Sequence, residues 1–246
     1  MIEHLRIGCV PYLNAKPLLH HLPNTVLLRE PSVLANEFRR GLLDVALIPV
    51  VECFLEKNIK IIDGIAIACQ GPVYSVILAH NKPVKELKSI ALDAASLTSA
   101  TLLKVLLKKH WKIEPELKDD GAEADGQLLI GDRALRFRRE FPKAQISDLG
   151  SAWRSYTGMP FVFAVWALHP SCSLSGEQAE AFRQRCLKGL SARGEIARTA
   201  EEFQYLTEWI RFGLGPFEKE AIKRFALEIK ELALFPEVET TPLIFV

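Results

Sequence analysis

Short apolar runs alternate with helical patterns along the first 50 residues. Apolar runs at 5–10 and 26–28 predict strands, and helical spacing predicts helices at 17–22 and 32–40. The run at 45–50 is continuously apolar, which is typical of a strand buried on both faces. This β-α-β-α-β order predicts a parallel sheet covered by helices.

A second series of the same kind follows in the middle of the chain. Apolar runs at 59–62, 65–69 and 73–79 predict three strands in close order. A strand at 88–92 and a helix at 98–110 then begin a new β-α-β alternation. The pattern therefore predicts two α/β units rather than one.

The last third begins with the apolar run 161–167 and is predicted to be helical after it. The predicted helices cover 175–190, 196–212 and 217–234, and Ser175 with Gln178 forms a capping box at the first of them. The tail from residue 235 is apolar and predicted to be extended.

Two lobes are expected from this order. Residues 1–79 and 164–246 would form lobe one, and residues 80–163 would form lobe two. The long apolar strands 73–79 and 161–167 would cross between them. A cleft between two lobes is a common place for a small ligand.

The composition is that of an ordinary soluble globular chain of 246 residues, with 49% hydrophobic and 25% charged residues. The net charge is +1 and the basic residues are scattered, so neither nucleic-acid binding nor an obligate protein partner is expected. No apolar run is long enough to span a membrane. The first residues lack the pattern of a secretion signal, which predicts a cytoplasmic location.

Cysteine and histidine spacing gives no indication of a metal site. The five cysteines are far apart and include no Cys-x-x-Cys pair, so they are expected to be reduced and mostly buried. The six histidines have no metal-ligand spacing. We therefore expect neither a metal nor another cofactor.

Asn14 lies between the first strand and the first helix. Ligands of open α/β sheets bind at the carboxyl ends of strands, where an asparagine can both donate and accept hydrogen bonds. Alternatively, Asn14 caps the helix that follows, and this segment alone favours the capping role.

Ser75 places a hydroxyl group inside an apolar strand. A buried hydroxyl must find a hydrogen-bond partner, which can be either the backbone or a ligand. The chain has no Gly-x-Ser-x-Gly elbow around it, so a nucleophilic-serine hydrolase is poorly supported.

Three hydroxyl residues, Ser96, Thr98 and Ser99, open the helix at 98–110. Helix N-termini bind anions through free N–H groups and the helix dipole, and hydroxyl groups add further donors. Plain N-capping needs only one hydroxyl, so three of them favour a carboxylate site. A phosphate site is disfavoured because the glycines and lysine of a P-loop are missing.

Asp132 lies where the predicted strand 128–130 ends and a helix begins. It can cap that helix or face the cleft. A carboxylate beside an anionic ligand is unfavourable unless it acts as an acid or base, so capping is favoured on physical grounds.

The order of these segments resembles the chorismate dehydratases, which begin the futalosine route to menaquinone. One departure is Ala15, where threonine or serine is more often expected. The resemblance extends over nearly the whole chain and rests on these motifs: Tyr12-Leu13-Asn14-x-Lys16-Pro17, the strand 44–50, Gly71-Pro72-Val73-x-Ser75-Val76, Ser96-x-Thr98-Ser99, Ile130-Gly131-Asp132-x-Ala134-Leu135, 148–150, 157–164 and Tyr205-Leu206.

The resemblance implies a two-lobed α/β fold of the periplasmic-binding-protein type II kind, with a chorismate site in the cleft between the lobes. The implied reaction removes a ring proton and the neighbouring hydroxyl as water, which leaves 3-(1-carboxyvinyloxy)benzoate. By the same likeness Asn14 and Ser75 lie nearest the reacting ring, and either Asp132 or a substrate carboxylate takes the proton. The residues expected to bind the substrate are Tyr12, Pro49, Ser96, Thr98, Ser99 and Gly131.

Three other functions fit this fold class. The first is a solute-binding protein for small carboxylates, which the missing secretion signal disfavours. The second is the related dihydroxynaphthoate synthase, whose histidine base has no match here. The third is the effector domain of a transcription regulator, which would need an attached DNA-binding segment.

Overall fold

The strands form two separate sheets in the computed structural model, which describes residues 2–236 and 243–246. In chain order the strands are β1 (Ile7–Cys9), β2 (Leu27–Leu28), β3 (Val45–Pro49), β4 (Lys60–Cys69), β5 (Val76–His80), β6 (Ser89–Ala91), β7 (Glu116–Lys118), β8 (Gly126–Ile130), β9 (Gln145–Asp148), β10 (Phe161–Leu168), β11 (Arg211–Leu214) and β12 (Ile244–Phe245). Within the described ranges, one sheet has the order β11-β4-β10-β3-β1-β2 with β12 beside β4, and the other has the order β7-β6-β8-β5-β9.

Helices cover both sheets and fill the sequence between strands. In chain order they are α1 (Lys16–Leu19), α2 (Pro31–Arg39), α3 (Glu52–Leu55), α4 (Leu97–Leu106), α5 (Gly131–Glu140), α6 (Leu149–Thr157), α7 (Gly176–Gly189), α8 (Arg193–Ile196), α9 (Ala200–Gln204) and α10 (Pro216–Glu231). The capping box at the start of α7 is confirmed: Ser175 and Gln178 bond each other's backbone N–H groups at 2.9 and 3.2 Å.

The parallel β-α-β-α-β unit predicted at the start of the chain is confirmed. Strand β1 pairs in parallel with both β2 and β3. All five residues of β3 are buried, as its unbroken apolar sequence predicts. Its other neighbour is β10, which runs antiparallel to it, so β3 lies in the interior of the first sheet.

The apolar runs 59–62 and 65–69, predicted as two strands, form the single strand β4. Gly64 joins them with a φ of +79°, a conformation that glycine adopts without steric cost. The pairing of β4 with β10 and β11 shifts register along its length. An irregular residue inside a strand thus looks like a break in the sequence pattern.

The single helix predicted at 196–212 is wrong. The segment contains the end of α8, the short helix α9 and a π-helical turn, Tyr205–Trp209, followed by strand β11. In β11 the buried residues Phe212 and Leu214 alternate with exposed ones. The strand pairs with β4 on the side opposite β10. The two-residue period over only four residues is too short to outweigh the surrounding helical pattern.

The two strands predicted to cross between the lobes each lie within one sheet, so that prediction is wrong. Strand β5 belongs to the five-stranded sheet and β10 to the seven-stranded sheet. The chain passes from the seven-stranded to the five-stranded sheet over residues 70–75, which we call the outward crossing. It returns through α6, which we call the return crossing. The lobe limits at 79 and 163 stay a prediction, and sheet membership favours limits nearer 75 and 160.

The C-terminal tail predicted from residue 235 lies partly outside the described residues, and its end forms β12.

Both crossings meet at the carboxylate of Asp148. It accepts hydrogen bonds from the N–H groups of Val73 at 3.1 Å and Tyr74 at 2.8 Å, in the outward crossing. It also accepts one from Ser151 N at 2.9 Å, as the N-cap of α6 in the return crossing. Tyr74 has a φ of +67°, an unfavourable conformation for a non-glycine residue that neighbouring contacts must hold.

A cluster of aromatic rings packs the return crossing against the C-terminal helix. The centroids of Trp153 on α6 and Phe161 on β10 lie 5.3 Å apart, and both rings contact Phe225 on α10 edge to face. The indole N–H of Trp153 donates to the carbonyl of Pro160 at 2.8 Å, so this fully buried ring has no unpaired polar atom.

None of the described helices is both long enough and apolar enough to cross a membrane.

We expect a large loss of stability when the carboxylate of Asp148 is removed, because it accepts hydrogen bonds from both crossings. Asp148→Ala leaves three backbone donors without their partner, which should lower the free energy of unfolding by about 3 kcal/mol. For a chain of this size that corresponds to roughly 6–12 °C in melting temperature. Asp148→Asn keeps one acceptor oxygen and should lose about half as much. Thermal unfolding of the three proteins tests this, and an Ala variant as stable as the wild type contradicts it.

Candidate active site

A cavity between the two sheets brings together seven of the nine predicted site residues. Most of its wall is apolar, and no charged side chain lines it in the part of the chain that the structure describes. This combination of apolar walls and a few polar groups is typical of sites for small molecules. The predicted residues that line it are Tyr12, Asn14, Pro49, Ser75, Ser96, Ser99 and Gly131.

Asn14 faces this cavity from the short 3₁₀ turn Leu13–Ala15 that follows β1. It does not cap a helix, because neither the 3₁₀ turn nor α1 has a side-chain cap. Its side chain instead lies near the hydroxyl of Tyr205, whose pKa it lowers. The capping alternative is therefore wrong for Asn14, and its amide is available to the cavity.

Ser75 lies at the end of the outward crossing, just before β5. Its backbone N–H donates to Val73 O at 2.8 Å and its carbonyl accepts from Gly131 N at 2.8 Å. Its hydroxyl is buried and bonds a side chain rather than the backbone: Tyr205 Oη lies 2.7 Å from Ser75 Oγ. The strand start thus holds the serine hydroxyl at the cavity wall.

Tyr205 is the residue of this site that sequence reasoning missed as a functional group. It is fully buried, and burial raises the pKa of its hydroxyl, although the hydrogen bond with Ser75 and the nearby side chain of Asn14 oppose that effect. The group is therefore neutral at physiological pH. In the sequence it is an aromatic residue within a helical pattern, which is typical of an ordinary core position, and its partner lies 130 residues away.

The hydroxyl groups at the start of α4 divide between two roles. Ser96 is the N-cap, since its Oγ accepts from Ser99 N at 3.1 Å, and it also donates to Ser99 Oγ at 2.8 Å. Both serines line the cavity. Thr98 is absent from the lining: its Oγ1 accepts from Val51 N at 3.3 Å, which ties α4 to the end of β3. One hydroxyl of the predicted anion site is thus a contact between the lobes.

Gly131 and Tyr12 face each other across the cavity mouth. Gly131 begins α5 with a φ of +53°, and a Cβ atom there would lie 3.3 Å from carbons of the Tyr12 ring. The Tyr12 hydroxyl donates to Glu30 Oε2 at 3.0 Å, and burial raises its pKa, so it too stays neutral. Glycine therefore permits a close approach of the two lobes at this point.

Asp132 neither caps α5 nor lines the cavity. The N-cap of α5 is Ile130, which has no side-chain cap, so the capping prediction is wrong. The exposed carboxylate of Asp132 instead accepts from Leu13 N at 3.1 Å, next to Asn14 on the opposite lobe. Asp132 bridges the lobes at the mouth, outside the lining of the cavity.

Charged groups occur around the mouth, and several are paired with one another. Arg133 bonds Asp93 at 3.0 Å and Asp120 at 2.8 Å. Burial raises the pKa of Asp93, whereas the hydrogen bond from Arg133 lowers that of Asp120.

Among the described residues, no group of three or more His, Cys, Asp or Glu is placed to hold a metal ion. All five cysteines are free thiols, and four of them are buried.

Comparison with solved structures agrees with the two-sheet architecture. The periplasmic aliphatic sulphonate binding protein SsuA from Escherichia coli superposes with a TM-score of 0.63 at 15% identity. The match covers 96% of this chain and 94% of that protein. At this identity the likeness concerns the fold alone, and it confirms the two-lobed periplasmic-binding-protein type predicted from the sequence.

Comparison of the sequence gives the family. The chain is 32% identical over 216 residues to the chorismate dehydratase of Thermus thermophilus, covering 78% of this chain and 79% of that protein. It is 28% identical over 244 residues to the chorismate dehydratase of Campylobacter jejuni, covering 92% and 98%. The family model described as menaquinone biosynthesis matches residues 5–230. The chain therefore belongs to the menaquinone biosynthesis family.

Proposed function

We propose that this chain is a chorismate dehydratase, a hydro-lyase that converts chorismate to 3-(1-carboxyvinyloxy)benzoate and water in menaquinone biosynthesis. The observation that carries the proposal is the cavity between the sheets of this family member, whose wall contains Asn14, Ser75 and the two serines at the start of α4. As a biosynthetic enzyme it would act in the cytoplasm on a small molecule, with neither nucleic acid nor an obligate protein partner.

The reaction makes modest demands on the protein. A ring C–H bond loses its proton to a base, the neighbouring C–O bond breaks, and the hydroxyl leaves as water when it gains a proton. The ring becomes aromatic, which drives the elimination. The protein must hold the carboxylates, orient the ring and keep bulk water out. An apolar cavity with a few fixed neutral donors suits these tasks.

The start of α4 is the proposed carboxylate site. Ser96 and Ser99 present hydroxyl groups there, and the N-terminal end of the helix adds partial positive charge. Neutral donors of this kind attract an anion without placing a buried countercharge in the cavity. Asn14 and Ser75 then lie on the wall to position the reacting part of the ring.

The substrate's own carboxylate is the favoured base of the two considered. Asp132 is exposed at the mouth, outside the lining of the cavity, and its Oδ1 accepts from Leu13 N. A carboxylate carried by chorismate would enter the cavity with the ring. Asp132 is better suited to holding the lobes together.

The rival functions differ in what they need from the cavity. A solute-binding protein would bind chorismate and release it unchanged. The related dihydroxynaphthoate synthase relies on a histidine base, and no histidine is among the described residues that line the cavity.

Incubation of the purified protein with chorismate tests the proposal. We expect each molecule of chorismate to give one molecule of 3-(1-carboxyvinyloxy)benzoate and one of water. The ultraviolet absorbance of the aromatic ring and proton magnetic resonance measure the formation of the aromatic product. Because no metal-ligand set occurs among the described residues, turnover should survive treatment with EDTA. Binding of chorismate without conversion would favour the solute-binding alternative, and activity lost on chelation and restored by zinc or magnesium would contradict the metal-free chemistry.

Replacement of Asn14 and Ser75 by alanine, one at a time, tests their roles. If both groups orient the ring, turnover should fall by about 100-fold with the fold intact, because misplacement near the chemistry can cost ~10²-fold. A structural hydroxyl or amide would change the melting temperature instead. The measurements are turnover at saturating chorismate and thermal unfolding, and near-normal turnover with a lowered melting temperature would contradict the assignment.

Thr98 and Ser99 form a matched pair for the carboxylate site, since they are neighbours with equivalent hydroxyls but different surroundings. Ser99→Ala should raise the dissociation constant of chorismate by about 10-fold or more, because a hydrogen bond to a charged group contributes about 1.5–3 kcal/mol. Thr98→Ala should leave binding nearly unchanged and mainly lower stability, because its partner is Val51 N. Calorimetric titration distinguishes them, and equal effects on binding would contradict this division.

A further inference from the structure

The π-helical turn Tyr205–Trp209 holds two consecutive residues of the outward crossing. Its first residue bonds Ser75, with Tyr205 Oη 2.7 Å from Ser75 Oγ. Its last residue, Trp209, stacks on the ring of Tyr74 with centroids 3.8 Å apart and an interplanar angle of 22°. Single π turns occur frequently at functional sites, where they re-aim side chains within a helix. This one contacts the side chains of the proposed reacting serine and of the residue before it.

Contacts of its ring, its carbonyl oxygen and its hydroxyl hold Tyr74, whose backbone conformation is strained. The Arg138 guanidinium lies 4.0 Å from its ring centroid and donates to its carbonyl oxygen at 2.8 Å. The Tyr74 hydroxyl donates to Glu201 at 2.9 Å. Strained residues persist only where surrounding contacts hold them, so these contacts serve to hold Ser75 in one place.

The direction of the hydrogen bonds follows from the number of protons. Phenol is the stronger acid of the two hydroxyls, so Tyr205 donates its only proton to Ser75 Oγ. Ser75 must then give its own proton to another acceptor. The cavity, which Ser75 lines, is where that proton is left to point.

We propose that Tyr205 is a positioning residue that fixes Ser75 as a hydrogen-bond donor toward the substrate. The inference rests on the proposed dehydration of chorismate and deepens it. Ser75 would donate to an oxygen of the substrate, such as the departing hydroxyl, whose departure as hydroxide is unfavourable without a proton donor. Tyr205 itself does not line the cavity.

Tyr205→Phe tests this by removing one oxygen atom and keeping the ring. We expect turnover at saturating chorismate to fall by about 10- to 100-fold, with the dissociation constant of chorismate within about threefold of the wild type. The control is Tyr156→Phe, which removes a hydroxyl that donates to the buried Glu228 at 2.8 Å; neither residue lines the cavity. It should lower the melting temperature and leave turnover unchanged.

A double variant provides the readout that a structural role would not affect. In the Ser75→Ala background, Tyr205→Phe should cost little further turnover, because no serine proton remains to be directed. Full additivity of the two losses, or normal turnover of Tyr205→Phe, would overturn the inference. A wild-type protein that leaves chorismate unconverted would overturn the proposed function and the inference with it.

A second substitution keeps the test decisive if Tyr205→Phe fails to fold. 3-Fluorotyrosine at position 205 keeps the ring and hydroxyl in place but makes the hydroxyl a stronger donor. Turnover should then rise when Ser75 is present and stay constant in the Ser75→Ala background. An unchanged rate in both backgrounds would overturn the inference.

Discussion

The carboxylate of Asp148 is the interaction on which the arrangement of the molecule depends. Two crossings connect the sheets, and both must expose backbone N–H groups where the chain leaves regular structure. Asp148 accepts from Val73 and Tyr74 in one crossing and from Ser151 in the other, so a single side chain satisfies donors in both. Unpaired buried donors would be costly, and these bonds also fix where β5 begins. The position of Ser75 at the cavity wall follows directly from that.

The site relies on neutral dipoles rather than on charges. The described lining of the cavity contains only uncharged side chains, whereas Arg133 at the mouth is paired with Asp93 and Asp120. Burying an isolated charge costs several kcal/mol, while hydroxyl groups and helix N–H groups are already held in place by the fold. A doubly charged substrate can therefore bind against fixed donors, and a substrate carboxylate kept free of a countercharge retains its basicity.

Contacts between the lobes lie on both sides of the site. Near the cleft, Asp132 accepts from Leu13 N and Thr98 accepts from Val51 N. On the far side, the buried Glu228 of α10 accepts from Tyr156 of α6 at 2.8 Å. Residues that sequence motifs suggested for chemistry thus help to hold the two lobes together.

The sequence alone determined the features that depend on local periodicity. The unbroken apolar run 45–50 identified β3, the Ser175–Gln178 pair identified the start of α7, and motif order gave the two-lobed fold and the family. Only the tertiary structure could decide the partner of each polar group. Successive helical residues point about 100° apart, so Ser99 faces the cavity while Thr98 bonds Val51. The bond between Ser75 and Tyr205 joins residues 130 apart, and hydrophobic spacing reports that a side chain is buried without indicating which group it meets.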